Sequence, residues 1–225
     1  MTRWFAALAL GLGCLLVPTS RAVRATPLLP ALFGPAAPQP SLVFTYDGWR
    51  VDAAHTARAQ RPMKTVKAIE VQIDLIERLS LPKSVLVIMR GTPVIALPGG
   101  ADDPDGYVRG HGVLLPIRGL NEKRPTLLRL MLYAYADQGL PRGSGNPDAE
   151  RFRQEAVGKH VWPITAAMLR SGPDYFAMVA SAYLTGAITR EPYTRADLCK
   201  TQPDACQWLA QLFDGGRARP TSAQS

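Results

Sequence analysis

Histidine is scarce in this sequence, which limits the enzyme chemistry that the chain can carry. The three histidines, His55, His111 and His160, lie far apart. No His-Glu-x-x-His, glycine-rich phosphate loop or Gly-x-Ser-x-Gly is present, so the common local signatures of metal-dependent, nucleotide-binding and nucleophilic hydrolysis are missing. A serine–histidine–aspartate arrangement assembled from distant positions has no positive support in the spacing.

Cysteine is also rare, with three residues in the chain. There is no Cys-x-x-Cys, so a structural zinc site has no cysteine support. Cys14 lies in the N-terminal leader, which leaves Cys199 and Cys206 in the rest of the chain. Two cysteines seven positions apart in an exported protein predict a disulfide, with free buried thiols as the alternative.

Long apolar runs are absent except near the N-terminus. Trp4 to Val17 follows a basic residue and precedes small-residue sites ending at Ala22 and Ala25. The run is shorter than the roughly 20 residues of a membrane span. This layout predicts a signal peptide over residues 1–25 and no transmembrane segment after its cleavage. We therefore expect an exported protein, either periplasmic or extracellular.

Composition places the chain among globular proteins, with 47% hydrophobic and 20% charged residues and no visible repeat. The formal net charge is +8. Cleavage after Ala22 would remove two of the 26 basic residues, which leaves 24 against 18 acidic ones and a charge of +6. This excess favours anionic surface polymers as partners. No basic run with interleaved aromatics is present, so we expect no nucleic-acid partner.

The chain divides into a leader, one domain and a tail. Residues 26–40 carry five prolines and predict an extended linker. Residues 41–213 form the domain, and residues 214–225 lack an apolar pattern and predict a flexible tail. Within the domain, most predicted strands lie in the first half and most predicted helices in the second. This order predicts an α+β fold with a small mixed or antiparallel sheet followed by a helical part.

Individual elements follow from periodicity and turn signals. Strands are predicted at 42–46, from Trp49 onward, at 84–89, at 93–97 and within 107–117. An amphipathic helix is predicted from Val66 to Leu79, and others at 125–138, 147–157, 163–170, 174–184, 194–200 and 203–213. Asp103-Pro104-Asp105-Gly106 fits a turn better than a cation site.

The helix predicted at 125–138 is apolar on nearly all faces, yet Arg129 lies in its middle. Tyr133 is one turn later on the same face. A buried arginine needs an acidic partner, because an unpaired charge away from water is very costly. Asp174, at the start of another apolar helix, is a candidate. The alternative is that the Arg129 side chain extends along its stem to solvent.

The stretch Leu127-Leu128-Arg129-Leu130-Met131-Leu132-Tyr133-Ala134-Tyr135-Ala136-Asp137-Gln138 resembles the catalytic helix of a family of secreted bacterial zinc peptidases. That gluzincin-like family is distantly similar to the catalytic domain of anthrax lethal factor, and its helix reads roughly Leu-Leu-His-Glu-Leu-Leu-His-Ala-Tyr-His-Asp-Gln. The resemblance continues in Gly145-Asn146-Pro147, Asp174 to Leu184, Arg190-Glu191-Pro192 and the closing Pro203, Trp208, Leu209 and Phe213. It spans most of residues 42–213 and implies a zincin (metallopeptidase)-like fold.

The resemblance also implies that the peptidase chemistry is lost. Arg129 and Tyr133 match the two histidine ligands, and Leu130 matches the general base. Asp174 matches a glutamate ligand, and Ala167 matches a tyrosine associated with the transition state. Leucine cannot move a proton, and a guanidinium stays protonated and repels a cation. We therefore expect no catalytic residues, no metal ligands and no bound zinc.

These points lead to an exported pseudo-peptidase that binds a peptide or an envelope partner in the former active-site cleft. In this hypothesis Arg129 takes the place of the metal and pairs with Asp174, Tyr133 fills the space of the second ligand, and His111 could line the same cleft. One alternative is an active metallopeptidase or other hydrolase with a site rebuilt from His111, Asp174 or His160. The other is a basic protein that binds anionic envelope surfaces.

Overall fold

The computed structural model describes residues 42–56, 62–99, 105–117, 120, 124–217 and 219. The predicted signal peptide and proline-rich linker lie outside these residues. The fold below is that of the segment from Leu42 onward.

A hairpin begins the sheet. β1 (Val43–Tyr46) and β2 (Trp49–Asp52) pair antiparallel, with Tyr46 opposite Trp49. The two residues between the strands, Asp47 and Gly48, have φ angles of 46° and 83°. Positive φ at both central positions suits the right-handed twist of a two-residue hairpin, and aspartate followed by glycine adopts it readily. The hairpin predicted from the sequence is confirmed.

Three further strands complete a five-stranded sheet among the described residues: β3 (Val94–Leu97), β4 (Gly106–Val108) and β5 (Gly112–Pro116). The strand order is β1-β2-β3-β5-β4. β3 runs parallel to both β2 and β5, whereas the outer pairs are antiparallel. Of the two predicted sheet types, mixed or antiparallel, the mixed sheet is the one observed.

Two helices lie between β2 and β3. α1 (Pro62–Glu77) is the predicted amphipathic helix. The strand predicted at 84–89 is wrong, because this segment forms α2 (Lys83–Gly91). Its β-branched composition favours a strand, but Val85 and Met89 are buried one turn apart while Val87 is 61% exposed. Packing on a helical period therefore outweighs the local strand preference.

The second half is helical: α3 (Thr126–Gly139), α4 (Pro147–Gly158), α5 (Gly172–Thr185), α6 (Arg195–Thr201) and α7 (Pro203–Asp214). The helix predicted at 163–170 is wrong in extent, since only a 3₁₀ turn forms there, at Ala167–Leu169. The described residues thus contain seven α-helices and form an α+β domain, as predicted. None of these helices is long and apolar enough to cross a membrane.

α3 is the central helix of the core. It packs against α5, α2 and strand β5. Leu127, Leu128, Leu130, Met131 and Leu132 are all fully buried, and full burial of such a side chain contributes about 1.5–3 kcal/mol. α5 is buried along almost its whole length. The close packing of these two helices fixes the relative positions of the polar side chains that they carry.

Cys199 on α6 and Cys206 on α7 form the predicted disulfide, with their Cα atoms 5.0 Å apart. In the segment predicted as a tail, Asp214 ends α7 and accepts hydrogen bonds from Arg219. Arg219 also donates to the Leu79 carbonyl oxygen at 3.1 Å. Residues 218 and 220–225 of the predicted tail lie outside the described residues.

Candidate functional site

A cavity of about 430 Å³ opens beside α3 and α5. Arg129, Tyr133, Ala167 and Asp174 all line it. These are four of the five positions that the sequence predicted for a degenerate cleft. The fifth, Leu130, is fully buried in the core and does not line the cavity.

α3 places Arg129 and Tyr133 at the cavity because the two residues are four positions apart on one helix face. Most of the other side chains in the first two turns of α3 are leucine or methionine, and these are buried in the core. Leu130 points into that apolar packing and has no accessible surface. An alkyl side chain in this position contributes to stability and can neither donate nor accept a proton.

Arg129 pairs with Asp105 and not with Asp174, so the predicted Arg129–Asp174 pair is wrong. Its guanidinium donates to Asp105 Oδ2 at 2.5 Å. The Arg129 side chain is 25% exposed and that of Asp105 is 51% exposed. The sequence argument that this arginine needs an acid holds, but the acid comes from the residue before β4. A partner 24 positions away along a loop leaves no periodic signal.

Asp174 is held by three other side chains. Tyr133 donates its hydroxyl to Oδ1 at 2.7 Å, and Ser171 donates its hydroxyl to Oδ2 at 2.8 Å. The exposed Arg170 side chain donates to Asp174 Oδ1 over a distance of 3.2 Å. The carboxylate is 18% exposed, and both of its oxygens accept hydrogen bonds within the protein.

The start of α5 explains the position of Asp174. Ser171 is the N-cap residue and accepts a hydrogen bond from the Asp174 backbone N–H at 3.2 Å. Asp174 lies in the first helical turn, where the positive end of the helix dipole stabilises a carboxylate. The Ser171-x-x-Asp174 spacing is a recognisable capping pattern, so the sequence itself contains a signal for this contact.

Tyr133 is a proton donor that does not ionise near neutrality. Burial and its hydrogen bond to Asp174 raise its pKa to about 12, and the nearby Arg129 opposes this rise. The hydroxyl therefore stays protonated over the physiological range and points its proton at Asp174. Hydrogen bonds thus link Tyr133 and Ser171 to Asp174 at the cavity wall, beside the separate Arg129–Asp105 ion pair.

His111 and His160, the two histidines named as candidates from the sequence, do not line the cavity. His111 is exposed in the turn between β4 and β5, and its Nδ1 lies 3.2 Å from the Arg109 carbonyl oxygen. His160 is exposed after α4 with φ of 51°. The described residues contain no group of three or more histidine, cysteine or acidic side chains arranged to hold a metal ion.

The donor set at the cavity does not fit zinc. Zinc peptidase sites need neutral imidazole or carboxylate ligands around an open position. The two α3 positions carry a guanidinium and a protonated phenol, and Asp174 already accepts from three donors. A cation there would be repelled by Arg129 and would have to displace these hydrogen bonds.

The sequence did not predict three arginines that line the cavity: Arg124, Arg170 and Arg190. Arg190 is carried by the loop after α5, which turns at Gly186 with φ of 85°. Glycine is favoured there because an L side chain is strained at positive φ. The loop then folds back, with Ile188 N–H donating to the Tyr193 carbonyl at 2.7 Å. No local pattern predicts which cavity such a loop lines.

No protein-family model matches this sequence, and no curated protein matches it. Among solved structures, the chain is similar to the PRO-PRO endopeptidase PPEP-2 from Paenibacillus alvei. The identity is 21%, the match covers 67% of this chain and 90% of that chain, and the TM-score is 0.44. A likeness of this degree supports no argument about the chemistry of this chain.

Proposed function

We propose that the protein is an exported, non-catalytic, zincin-like protein that binds a peptide in the cavity between α3 and α5. The observation that carries this proposal is that the polar side chains on the cavity wall are paired with one another. Arg129 pairs with Asp105, and Tyr133 and Ser171 both donate to Asp174. The polar groups that a peptidase would present to metal and substrate here satisfy each other.

Three properties of these residues support a binding role in place of hydrolysis. Leu130, at the position of the general base, is apolar and fully buried. The pKa of Tyr133 is raised to about 12, so it cannot take up a proton at neutral pH. Both oxygens of Asp174 already accept hydrogen bonds within the protein, from Tyr133, Arg170 and Ser171.

The cavity itself supports a peptide-sized ligand. Its volume of about 430 Å³ falls in the range of small-molecule and cofactor sites. Its wall combines apolar side chains, including Met178 and Ile188, with polar ones. Export is supported by the leader pattern and by the Cys199–Cys206 disulfide, a bond that persists in oxidising compartments.

The test is retention of a random mixture of short peptides by the immobilised mature protein, read by mass spectrometry. Ala167 lines the cavity and is partly buried, so Ala167→Trp should fill it and abolish retention. Ala54→Trp is the matched control, because Ala54 is exposed and does not line the cavity. We expect retention by the wild type and the control, and no cleavage of the peptides.

Two outcomes would overturn the proposal. Equal retention by Ala167→Trp would mean that the peptides bind elsewhere, for example on the basic surface. Reproducible cleavage that is lost in Asp174→Ala would mean that the chain is an active hydrolase with a rebuilt site. Thermal unfolding of each variant checks that the added tryptophan has left the fold intact.

A further inference from the structure

Arginine dominates the charged lining of the cavity. Among the described residues that line it, four arginines face two aspartates, with no lysine, glutamate or histidine: Arg124, Arg129, Arg170, Arg190, Asp105 and Asp174. A concave site with an excess of one charge concentrates ligands of the opposite charge. The excess of two positive charges favours an anionic ligand.

The two aspartates do not neutralise all four arginines. Asp105 is bound to Arg129 at 2.5 Å, and Asp174 is bound to Arg170 at 3.2 Å. Asp174 also accepts from Tyr133 and Ser171, so its oxygens have little capacity left for another donor. These pairs use two of the four arginines and both acids.

Arg124 and Arg190 are the remaining pair. Within the described part of the chain, neither guanidinium makes a hydrogen bond or an ion pair. Both residues are exposed and both line the cavity, although one precedes α3 and the other follows α5 in the sequence. A guanidinium presents five N–H donors in a planar fork that matches a carboxylate with two parallel hydrogen bonds.

The backbone around both arginines is held in place. Arg124 lies two residues before the start of α3, and its carbonyl oxygen accepts a hydrogen bond from the Gln72 side chain at 3.0 Å. Arg190 lies in the loop that is closed at its base by a hydrogen bond from Arg195 N–H to the Gly186 carbonyl at 2.9 Å. Side chains carried on a hydrogen-bonded backbone lose less conformational entropy when a ligand binds, and this smaller loss favours affinity.

The start of α3 adds a second attraction for an anion. Pro125 and Thr126 line the cavity, so the positive end of this 14-residue helix lies at the site. The first turn of α3 carries no acidic residue, whereas Asp174 already occupies that position on α5. The Thr126 and Leu127 N–H groups already donate to the Arg124 carbonyl oxygen and to Gln72 Oε1. This terminus therefore attracts a ligand carboxylate through the helix dipole and not through these two donors.

We propose that the cavity recognises a carboxylate of its peptide ligand, and that Arg124 and Arg190 are the side chains that bind it. This inference rests on the proposed peptide-binding function and adds the chemical class of ligand. The carboxylate could belong to an acidic side chain or to the peptide C-terminus, and the two sources are separated below.

The test uses four fluorescein-labelled pentapeptides of one sequence with the label at the N-terminus. Two have an amidated C-terminus and carry either glutamate or glutamine at the centre. The other two repeat this pair with a free C-terminus. Fluorescence anisotropy with the mature protein should give at least about tenfold tighter binding to peptides with the preferred carboxylate. The affinity should fall as salt is raised, because exposed charges are screened.

Arg124→Gln and Arg190→Gln should each weaken binding of the preferred peptide about tenfold and leave binding of the amidated glutamine peptide unchanged. Arg50→Gln is the matched control: Arg50 is exposed on β2, outside the cavity, and this variant should bind like the wild type. All three positions are exposed, so the fold should tolerate the changes.

The outcomes separate this inference from the function on which it rests. If all four peptides bind equally and Ala167→Trp blocks them, the cavity binds peptides but the carboxylate proposal is wrong. Equal losses in Arg50→Gln and the cavity variants would also overturn it, because the effect would then come from net charge. If none of the peptides binds, both proposals fail.

Discussion

Removing one oxygen atom tests the polar network at the cavity. Tyr133→Phe deletes the hydroxyl that donates to Asp174 Oδ1 at 2.7 Å and leaves the ring in place. A hydrogen bond to a charged group contributes about 1.5–3 kcal/mol. Because Ser171 and Arg170 still bind Asp174 and water reaches part of it, we expect a loss of about 1–2 kcal/mol in the free energy of unfolding at pH 7.

The same variant has a predictable pH dependence. The pKa of Tyr133 rises from 10.0 to about 12 on folding. Above pH 10 the unfolded chain releases this proton while the native chain keeps it, so the wild type loses the contribution of this group as pH rises from 10 toward 12. Tyr133→Phe has no proton to lose there. The stability difference between the two proteins should therefore be complete at pH 7 and smaller at pH 11.

The assay is urea unfolding followed by tryptophan fluorescence at both pH values. Tyr193→Phe is the matched control, because it removes the same atom from a hydroxyl bonded to Glu191 at 2.9 Å on an exposed side chain. We expect little change in that control. The reasoning is refuted if Tyr133→Phe is as stable as the wild type, or if the gap between them widens from pH 7 to pH 11.

Three further predictions follow from the same contacts. Leu130→Ala should lower the free energy of unfolding in urea by about 3–4 kcal/mol, because the side chain is fully buried. A change below about 1 kcal/mol would mean that Leu130 is not part of the core. Replacing Cys199 and Cys206 by serine should lower the unfolding free energy by about 2 kcal/mol for this short loop, and thiol titration of the denatured mature wild type should find no free cysteine. Asp105→Asn should tighten binding of the carboxylate peptides by releasing Arg129, measured by anisotropy, and weaker binding would contradict the proposed charge pattern.

Elements with a clear period or turn signal could be predicted from the sequence. The Asp47-Gly48 hairpin, the amphipathic helix α1 and the apolar helices α3 and α5 all formed as expected. The error at α2 has a physical cause. Val85, Val87 and Ile88 favour a strand locally, but burial of Val85 and Met89 on one face selects a helix.

The candidate site was predicted in part. Arg129, Tyr133, Ala167 and Asp174 come together at one cavity because α3 and α5 pack side by side. The hydrogen-bond partners of these residues could not be predicted from sequence spacing. Asp105, which binds Arg129, is the residue just before β4 and lies 24 positions earlier in the chain.

The other cavity arginines were missed for related reasons. Arg124 precedes a helix, Arg170 lies just before one, and Arg190 lies in a loop after one. Which cavity these flanking positions line depends on how the helices pack, and single-sequence periodicity does not contain that information.

The proposed function requires that Arg129, Tyr133 and Asp174 at the cavity hold no metal ion. The most direct measurement is the zinc content of the mature protein, exported through its own leader and dialysed without a strong chelator. Elemental analysis should find far less than one zinc per chain in a cooperatively folded sample. About one zinc per chain that is lost in Asp174→Ala would contradict the account, because it would require a metal site that includes this carboxylate.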